Sequence, residues 1–206
     1  MCSQTLLRAA SQAADAALSG DLQRFLKPDC RNLRRSVPFS SMNPMNDFSA
    51  LPYRPCVGVM LVNGEGLVFV GKRIDNRGSE GDAWQMPQGG IDDGEDLRTA
   101  ALRELWEETG VLEQHVSLIA QTKEELLYDL PDELLGKLWG GRYRGQRQYW
   151  MLVRFNGHDA DIKLDAHDPA EFHEWKWARP EELVDLIVPF KKRVYRAVVE
   201  EFRHLI

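Results

Sequence analysis

The residues most suited to chemistry lie in one acidic stretch, QMPQGGIDDGEDLRTAALRELWEETGV, residues 85–111. Glu104, Glu107 and Glu108 are close enough in sequence for a helix to place their carboxylates on one arc about 100° wide. Like charges on one arc destabilise a helix unless a cation binds there. Magnesium prefers carboxylate oxygens and keeps water and phosphate oxygens as its remaining ligands. The spacing therefore favours a divalent-metal site over an ordinary solvated helix face.

The sequence around these acids predicts the helix that positions them. Asp96 is placed to cap its start, and Gly110 follows Thr109 where a left-handed residue commonly ends a helix. We therefore expect a helix over residues 97–109. The glycines of PQGGIDDGE allow the backbone before it to approach the same ion, or a phosphate, closely. The apolar arc of the helix is expected to hold Ala101, Leu102, Leu105, Trp106 and Thr109.

Residues 89–111 fit a longer signature, G-x5-E-x7-R-E-U-x-E-E-x-G-U, in which U is a bulky aliphatic residue, and in this respect the chain resembles the Nudix hydrolases. The resemblance implies an α/β fold, specifically an α/β/α sandwich around a mixed β-sheet. It also implies attack of water on a nucleoside diphosphate linked to another moiety. The implied cofactor is a divalent metal, first Mg²⁺, with Mn²⁺ or Zn²⁺ as alternatives. The matching positions are Gly89, Glu95, Arg103, Glu104, Leu105, Glu107, Glu108, Gly110 and Val111.

The same resemblance implies roles for the acids. Glu107 and Glu108 are expected chiefly to bind metal, and Glu104 to serve as a ligand or as the general base. Glu171, in PAEFHEW, matches a late acid that acts as a further ligand or base, although an exposed loop acid is the alternative. The residues implied in catalysis are Glu104, Glu108 and Glu171. Those implied in metal binding are Glu104, Glu107, Glu108, Glu171 and Gly89.

Cationic side chains near the motif are expected to serve the phosphates or the motif itself. Glu95 is expected to orient Arg103, which is a structural role. Arg54 and Arg73 match positions near the phosphates, with a surface arginine as the alternative for each. A further basic stretch in the loop before the longest apolar run is either a second phosphate contact or a solvated loop. It comprises Arg142, Arg144 and Arg147.

A base-binding pocket is the remaining expectation for the substrate. Gln85 is expected to line the cleft, and Tyr128 to stack on a base, which contributes roughly 1–3 kcal/mol per base. Phe190 and Lys191 are expected to form the other side of that pocket. A buried tyrosine and a phenylalanine at a helix start are equally ordinary interpretations.

Over residues 53–203 the chain resembles two related groups, bacterial RNA pyrophosphohydrolases and asymmetric dinucleoside tetraphosphate hydrolases, including those of plants. The segments WQMPQGGIDDGED and LWGGRYRGQRQ resemble the second group somewhat more. The main prediction is removal of pyrophosphate from 5′-triphosphorylated RNA ends, as in mRNA decay. The alternative is cleavage of diadenosine tetraphosphate, and one enzyme can have both activities. A non-catalytic nucleotide-binding module is a third interpretation, but such modules usually lose acids of the signature, and none is missing here.

The composition of the whole chain is that of an enzyme or a binding protein. It has 206 residues, 43% of them hydrophobic and 28% charged, with a net charge of -6. Such a composition is globular, and the charge provides no general attraction to nucleic acid or an anionic membrane. The expected partners are RNA ends or dinucleoside polyphosphates, with no membrane and no obligate protein partner. Three separated cysteines match no zinc or disulfide spacing and favour a reducing, cytoplasmic location.

Two regions are expected along the chain. Residues 1–50 are polar and rich in proline and serine, which predicts a loosely ordered extension, and Met42 or Met45 is an alternative start. An organellar presequence is disfavoured by the acidic residues in this segment. Residues 51–206 are expected to form the hydrolase domain.

Apolar patterns predict the elements of that domain. CVGVMLVN and GLVFVGKR are predicted strands joined by a hairpin at Asn63-Gly64, and HVSLIAQT, QYWMLVRF and FHEWKWA are further strands. DLPDELLGKLWGGRYRGQRQ is a predicted loop with one or two helical turns. PEELVDLIV and KKRVYRAVVEEFRHLI are predicted helices, the last docking through Val194, Val198 and Phe202. Four tryptophans are expected in the core, namely Trp84, Trp150, Trp175 and Trp177.

Overall fold

Eight strands and three helices make up the domain in the computed structural model, which describes residues 48–74 and 83–206. The expectations for residues 1–47 lie outside the described residues. The helices are α1 (Leu97–Thr109), α2 (Leu183–Leu186) and α3 (Lys192–Phe202). The strands are β1 (Tyr53–Val62), β2 (Val68–Arg73), β3 (Trp84–Gln85), β4 (Gln88–Gly90), β5 (Val116–Gln121), β6 (Leu126–Asp129), β7 (Gly145–Phe155) and β8 (Phe172–Ala178).

The strands form one mixed sheet in the order β3-β2-β1-β7-β5, with β4 also paired to β1, β6 to β7 and β8 to β2. At its centre β1 and β7 run parallel, in register from Tyr53↔Gly145 to Val62↔Arg154. The other pairings of the described strands are antiparallel. The mixed sheet predicted from the sequence is therefore present, and its long central strands are the ones with the clearest apolar runs.

The predicted hairpin between β1 and β2 is confirmed and is closed by Asn63. Its side-chain Oδ1 accepts hydrogen bonds from the backbone N–H groups of Glu65 and Leu67, at 2.9 and 3.0 Å. Gly66 follows with a φ of +77°, a conformation that favours glycine. An asparagine that bonds to the backbone two residues ahead is a common way to turn a chain.

Helices cover both faces of the sheet. Because side chains along each strand point alternately to the two faces, the hydrophobic core has two separate layers. Val57, Val59 and Leu61 of β1 face the layer that contains α1. Met60 and Val62 of the same strand face the layer that contains α2 and α3. Since successive strand residues point to opposite faces, a continuous apolar run supplies both cores at once. The result is the α/β/α sandwich that the sequence predicts.

Helix α1 begins and ends at the predicted residues. The Asp96 carboxylate accepts from the backbone N–H groups of Arg98 and Thr99, and Gly110 has a φ of +69°. The buried arc, however, is rotated from the predicted one: Trp106 is 38% exposed, against His167, whereas Glu104 and Glu108 are buried. The expectation that Trp106 faces the core was wrong, because the helix turns its acidic side toward the sheet.

The sequence patterns did not predict the shortest strands. β3, β4 and β6 have two to four residues each, and β4 contains two glycines, so none has a recognisable alternation. The long loop after β6, predicted to contain one or two helical turns, has a short 3₁₀ turn at Leu138–Gly141 in which Trp139 and Gly140 do not have helical backbone angles. Trp150 and Trp84 are buried as expected, whereas Trp175 and Trp177 are half-buried and pack against Phe69. No helix in residues 48–74 or 83–206 has the length and apolarity needed to cross a membrane.

The contribution that the packing of α3 makes to the free energy of unfolding can be measured. Phe202 is fully buried in the core between α3 and the sheet, so Phe202→Ala should lower the free energy of unfolding by about 3–5 kcal/mol. Urea denaturation monitored by circular dichroism measures this loss. Glu200→Ala, on the exposed side of the same helix, is the control and should change stability by no more than about 0.5 kcal/mol. Equal effects of the two substitutions would show that α3 does not dock as described.

Candidate active site

A cleft of about 420 Å³ opens beside the acidic side of α1. Besides α1, its walls come from strands β1 to β4, β6 and β7, the loop after β6, the segment before β8 and the residues just before α3, so residues distant in sequence meet there. Glu108 and Glu95 lie behind its surface. Of the residues that the sequence singles out, those lining the cleft are Arg54, Arg73, Gln85, Gly89, Arg103, Glu104, Glu107, Tyr128, Glu171, Phe190 and Lys191.

Glycine at position 89 is required by the approach of α1 to β4. A Cβ atom at Gly89 would overlap the carboxylate of Glu104, which lies directly against the backbone there. β4 is itself held on β1 by the pairs Cys56↔Gly90, Val57↔Gly89 and Gly58↔Gln88. The absence of a side chain at position 89 therefore lets a buried carboxylate reach the sheet.

Arg103 fixes the geometry of the acidic motif. Its guanidinium donates to both oxygens of Glu95, at 2.9 and 2.7 Å, and to the carbonyl of Gly90, at 2.8 Å. Its third nitrogen donates to Glu104 Oε1 at 2.8 Å and stands 3.6 Å from Glu107 Oε1. A guanidinium suits this bidentate arrangement better than an ammonium. The structure thus shows Glu95 holding Arg103, the contact that the predicted structural role requires.

The side chain of Glu108 is completely buried, yet only one of its two carboxylate oxygens accepts a hydrogen bond from the described residues. Its Oε2 accepts the backbone N–H of Gln88 at 3.0 Å. Its Oε1 is buried and accepts no hydrogen bond from the part of the chain that the structure describes. A buried carboxylate oxygen without a partner is costly unless a proton or a cation occupies it.

Burial and mutual repulsion shift the titration of these acids. Burial raises the pKa of Glu108 well above its ordinary value, and the charges of Glu171 and Glu104 raise it further. Burial also raises the pKa of Glu104, and Arg103 opposes that shift. The acids from α1 and from the segment before β8 therefore share one electrostatic site.

Glu171 occupies the side of the cleft facing the acidic motif. Its Oε2 accepts from Arg73 at 2.7 Å, and its backbone carbonyl accepts from the N–H of Ile74 at 2.9 Å. These contacts tie the start of β8 to the end of β2. They place one acid and one arginine, both predicted for the site, side by side on the cleft wall.

The residues predicted to form the base pocket lie together, but the tyrosine is largely buried. Tyr128 packs against Phe190 with ring centroids 5.5 Å apart, and the Lys191 ammonium lies 5.6 Å from the centre of the tyrosine ring. Lys191 also donates to Gln85 Oε1 at 3.5 Å, and burial lowers its pKa to about 8. Gln85 Nε2 is buried without a hydrogen bond to the described residues, so the pocket retains a donor.

One aromatic residue of the cleft was not predicted. Trp139 lines it, and the Arg54 guanidinium lies 5.6 Å from the centre of the indole. Trp139 has a φ of +51°, which is unusual for a residue with a large side chain, and Gly140 continues the left-handed turn at +65°. The sequence LWGG carried this signal, because paired glycines after a tryptophan permit such a turn.

The basic stretch after Trp139 does not reach the cleft. Arg144 donates to Asp129 at 2.8 Å and to the Ser49 carbonyl at 2.8 Å. Arg147 pairs with Glu125 at 3.6 Å, and the Arg142 guanidinium lies against Tyr143. These arginines serve the local structure of the loop, which favours the solvated interpretation over a second phosphate contact.

The acids fit a divalent cation in chemistry, although they are not arranged as a closed ligand cluster. Within residues 48–74 and 83–206, no three histidine, cysteine, aspartate or glutamate side chains are close enough to hold a metal as they stand. Glu104 and Glu171 each direct an oxygen to an arginine, but a carboxylate has capacity for further partners. The unpartnered Oε1 of Glu108 is the oxygen that a hard cation would satisfy.

Comparison with known proteins agrees with this geometry. Residues 52–198 match the family profile described as NUDIX domain. A Novosphingobium aromaticivorans protein named RNA pyrophosphohydrolase is 72% identical over 163 residues, covering 79% of this chain and 100% of that protein. An Erythrobacter litoralis protein of the same name is 61% identical over 160 residues, covering 78% and 96%. The solved C. elegans Ap4A hydrolase binary complex aligns with a TM-score of 0.54 and 19% identity, over 73% of this chain and 98% of that one, a likeness of fold.

The raised pKa of Glu108 predicts how the metal-free protein responds to pH. In the folded chain its pKa exceeds the ordinary 4.5, so ionisation costs stability above that pH and nothing below it. With metal removed by EDTA, Glu108→Gln should therefore melt at a higher temperature than the wild type at pH 8. The difference should shrink as the pH falls toward 4.5. Thermal melts across this range test it, and equal melting temperatures at pH 8 would contradict it.

Proposed function

The chain belongs to the NUDIX family and is a hydrolase of pyrophosphate bonds, and from this we propose that it removes pyrophosphate from 5′-triphosphorylated RNA ends. The observation that carries the choice of substrate is the high identity to relatives named RNA pyrophosphohydrolase over nearly their whole length. The cleft supports it, since acidic side chains line it together with cationic and aromatic ones.

The reaction cleaves the bond between the α- and β-phosphates of the RNA end. Water adds to phosphorus, pyrophosphate leaves, and the RNA keeps a 5′-monophosphate. A divalent metal ion, as Nudix hydrolases generally use, supplies charge neutralisation and a lowered pKa of bound water when present. Mg²⁺ is the ion we propose. The residues proposed to hold it are Glu104, Glu107, Glu108, Glu171 and Gly89.

A carboxylate must also take the proton of the attacking water. Glu104 and Glu171 are the candidates, because both line the cleft, whereas Glu108 lies behind it. Burial raises the pKa of Glu104, which makes it a stronger base than an exposed carboxylate when ionised. Glu108 is proposed as a catalytic residue through metal binding instead.

Cationic side chains are proposed to neutralise the phosphates and to orient the RNA. Arg73 and Arg54 are both on the cleft wall, and Lys191 lies with Phe190 and Tyr128 at the base pocket. Burial lowers the pKa of Lys191 to about 8, so its ammonium group loses a proton more readily than that of an exposed lysine. Lys191 is therefore mostly cationic only below that pH. Because only a 5′ end and a base or two need to be bound, the net negative charge of the chain is no obstacle. A cytoplasmic location belongs to the same proposal.

Diadenosine tetraphosphate is the second candidate substrate, and Trp139 is the observation that favours it. The cleft has two separate aromatic groups, Tyr128 packed with Phe190 and the indole of Trp139. A dinucleoside polyphosphate has a base at each end and can stack on both.

The two substrates can be compared in one assay. With Mg²⁺ and wild-type protein, we expect kcat/KM for 5′-triphosphorylated RNA to exceed that for diadenosine tetraphosphate by about 100-fold, or about 2.7 kcal/mol in transition-state binding. Pyrophosphate release and the RNA 5′-monophosphate are measured together. The reverse preference would replace the proposal by the second candidate. Nucleotide binding without turnover of either substrate would indicate a non-catalytic module.

The role of the acidic motif has its own test. Glu104→Gln should lower kcat on RNA by about 100- to 10,000-fold, because it removes a ligand or the general base. Glu113→Gln is the matched control, since Glu113 is exposed just beyond the same helix and forms a surface ion pair with Arg98. The control should keep wild-type activity. A fully active Glu104→Gln protein would remove this residue from the mechanism.

A further inference from the structure

Behind the cleft lies a buried amide that no role assigned so far explains. Gln148, on β7, is 1% exposed and makes three hydrogen bonds. Its Nε2 donates to Gln88 Oε1 at 2.8 Å and to Gln146 Oε1 at 2.9 Å, and its Oε1 accepts the indole N–H of Trp150 at 3.2 Å. Every partner is itself buried, and the group extends from the core at Trp150 to the cleft wall, which Gln88 and Gln146 line.

The partners leave the Gln148 amide only one orientation. An indole nitrogen is a donor and never an acceptor, so the atom of Gln148 that faces Trp150 must be the oxygen. The NH₂ group then points toward Gln88 and Gln146, and both of its hydrogens are used. Glutamine side chains often permit either orientation of oxygen and nitrogen, but this arrangement excludes the second one.

The contact crosses the sheet because of a glycine in the central strand. Gly58 of β1 pairs with Gln88 on one side and with Trp150 on the other. A Cβ at Gly58 would overlap the Trp150 ring, so the indole lies over the backbone of β1. Residues of β7 thereby reach β4, although the two strands are not adjacent in the sheet.

Gln88 connects this group to the acidic helix. Its side chain is held by Gln148, and its backbone N–H donates to Oε2 of Glu108 at 3.0 Å. That bond engages one oxygen of Glu108 and leaves Oε1, the buried oxygen without a partner among the described residues. A fixed position of Gln88 therefore determines which carboxylate oxygen is free.

We propose that Gln148 is a positioning residue: it holds Gln88 so that Glu108 presents Oε1 to a divalent metal ion. This inference rests on the proposed function, since it requires Glu108 to bind metal. Gln148 does not line the cleft and touches no substrate, so its effect passes through Gln88. Residues that orient metal ligands typically change metal affinity or activity by 10- to 100-fold when replaced.

The first test measures metal binding without substrate. Gln148→Met keeps the length of the side chain and removes its three hydrogen bonds. Titration calorimetry with Mn²⁺ and with Mg²⁺ on the full chain should show binding weakened by about 10- to 100-fold. With RNA at saturating concentration, kcat at fixed low metal should fall by a similar factor, while KM for RNA stays near the wild-type value.

Thr122→Val is the matched control for simple loss of a buried hydrogen bond. Thr122 is also 1% exposed, and its hydroxyl accepts the backbone N–H of Trp150 at 3.0 Å. This variant should lose stability but bind metal within about twofold of the wild type, because its hydroxyl bonds to the backbone of Trp150 and not to the Gln148 amide or the indole N–H that orients it. If Gln148→Met loses stability to the same degree and binds metal like the control, the positioning role is overturned.

A second variant covers the case in which Gln148→Met does not fold. Trp150→Phe keeps an aromatic ring but removes the fused second ring together with the indole N–H that orients the amide. It should weaken metal binding in the same direction by a smaller factor, and wild-type affinity would overturn the inference. Since binding is measured without RNA, an inactive wild-type protein would reject the proposed substrate and leave this result intact.

Discussion

The architecture of the site depends on placing two carboxylates between a helix and a strand in which two of the three residues are glycine. Glu104 lies against the backbone of Gly89, and Glu108 accepts the N–H of Gln88 one residue earlier. Buried acids are normally avoided because desolvation disfavours their charge. Here the apolar residues of the same helix supply the packing that keeps the acids in place, since Ala101 and Leu105 are anchored in the core.

The negative charges of the acids around this contact are only partly neutralised by arginines. Arg103 serves Glu95 and Glu104, and Arg73 serves Glu171, so each arginine brings an acid toward the cleft and limits its repulsion. Glu108 has no such partner among the described residues. A buried ion pair gains little net stability because desolvation offsets attraction. The arginines are therefore better understood as setting positions than as stabilising the fold.

The sequence predicted best those parts of the molecule in which several residues independently indicate the same structure. Helix α1 was predicted to its end residues, because Asp96 and Gly110 have unambiguous capping roles, and the acidic motif named the residues that meet in the cleft. Trp106 was misplaced, because periodicity gives the width of a buried arc but not its rotation. Trp139 was not identified, because LWGG was interpreted only as part of a loop with one or two helical turns, although its paired glycines permit a left-handed turn. Gln148 was not identified, because its contact with Gln88 joins residues that are 60 positions apart in the chain. Three-dimensional packing alone supplies that information.

The parallel pairing at the centre of the sheet affects how the chain must assemble. Tyr53 and Gly145 pair although 145 − 53 = 92 residues separate them, and the same offset holds to the end of the ladder. The acidic helix lies inside that interval, and its core partners include Met151 and Val153 of the later strand. Contacts between distant segments form slowly, because a long loop must close first. During synthesis on the ribosome, the first strand and the helix therefore cannot complete their packing until the second half of the domain has been made. A nascent chain that stops short of that half contains the complete signature but cannot form the active site.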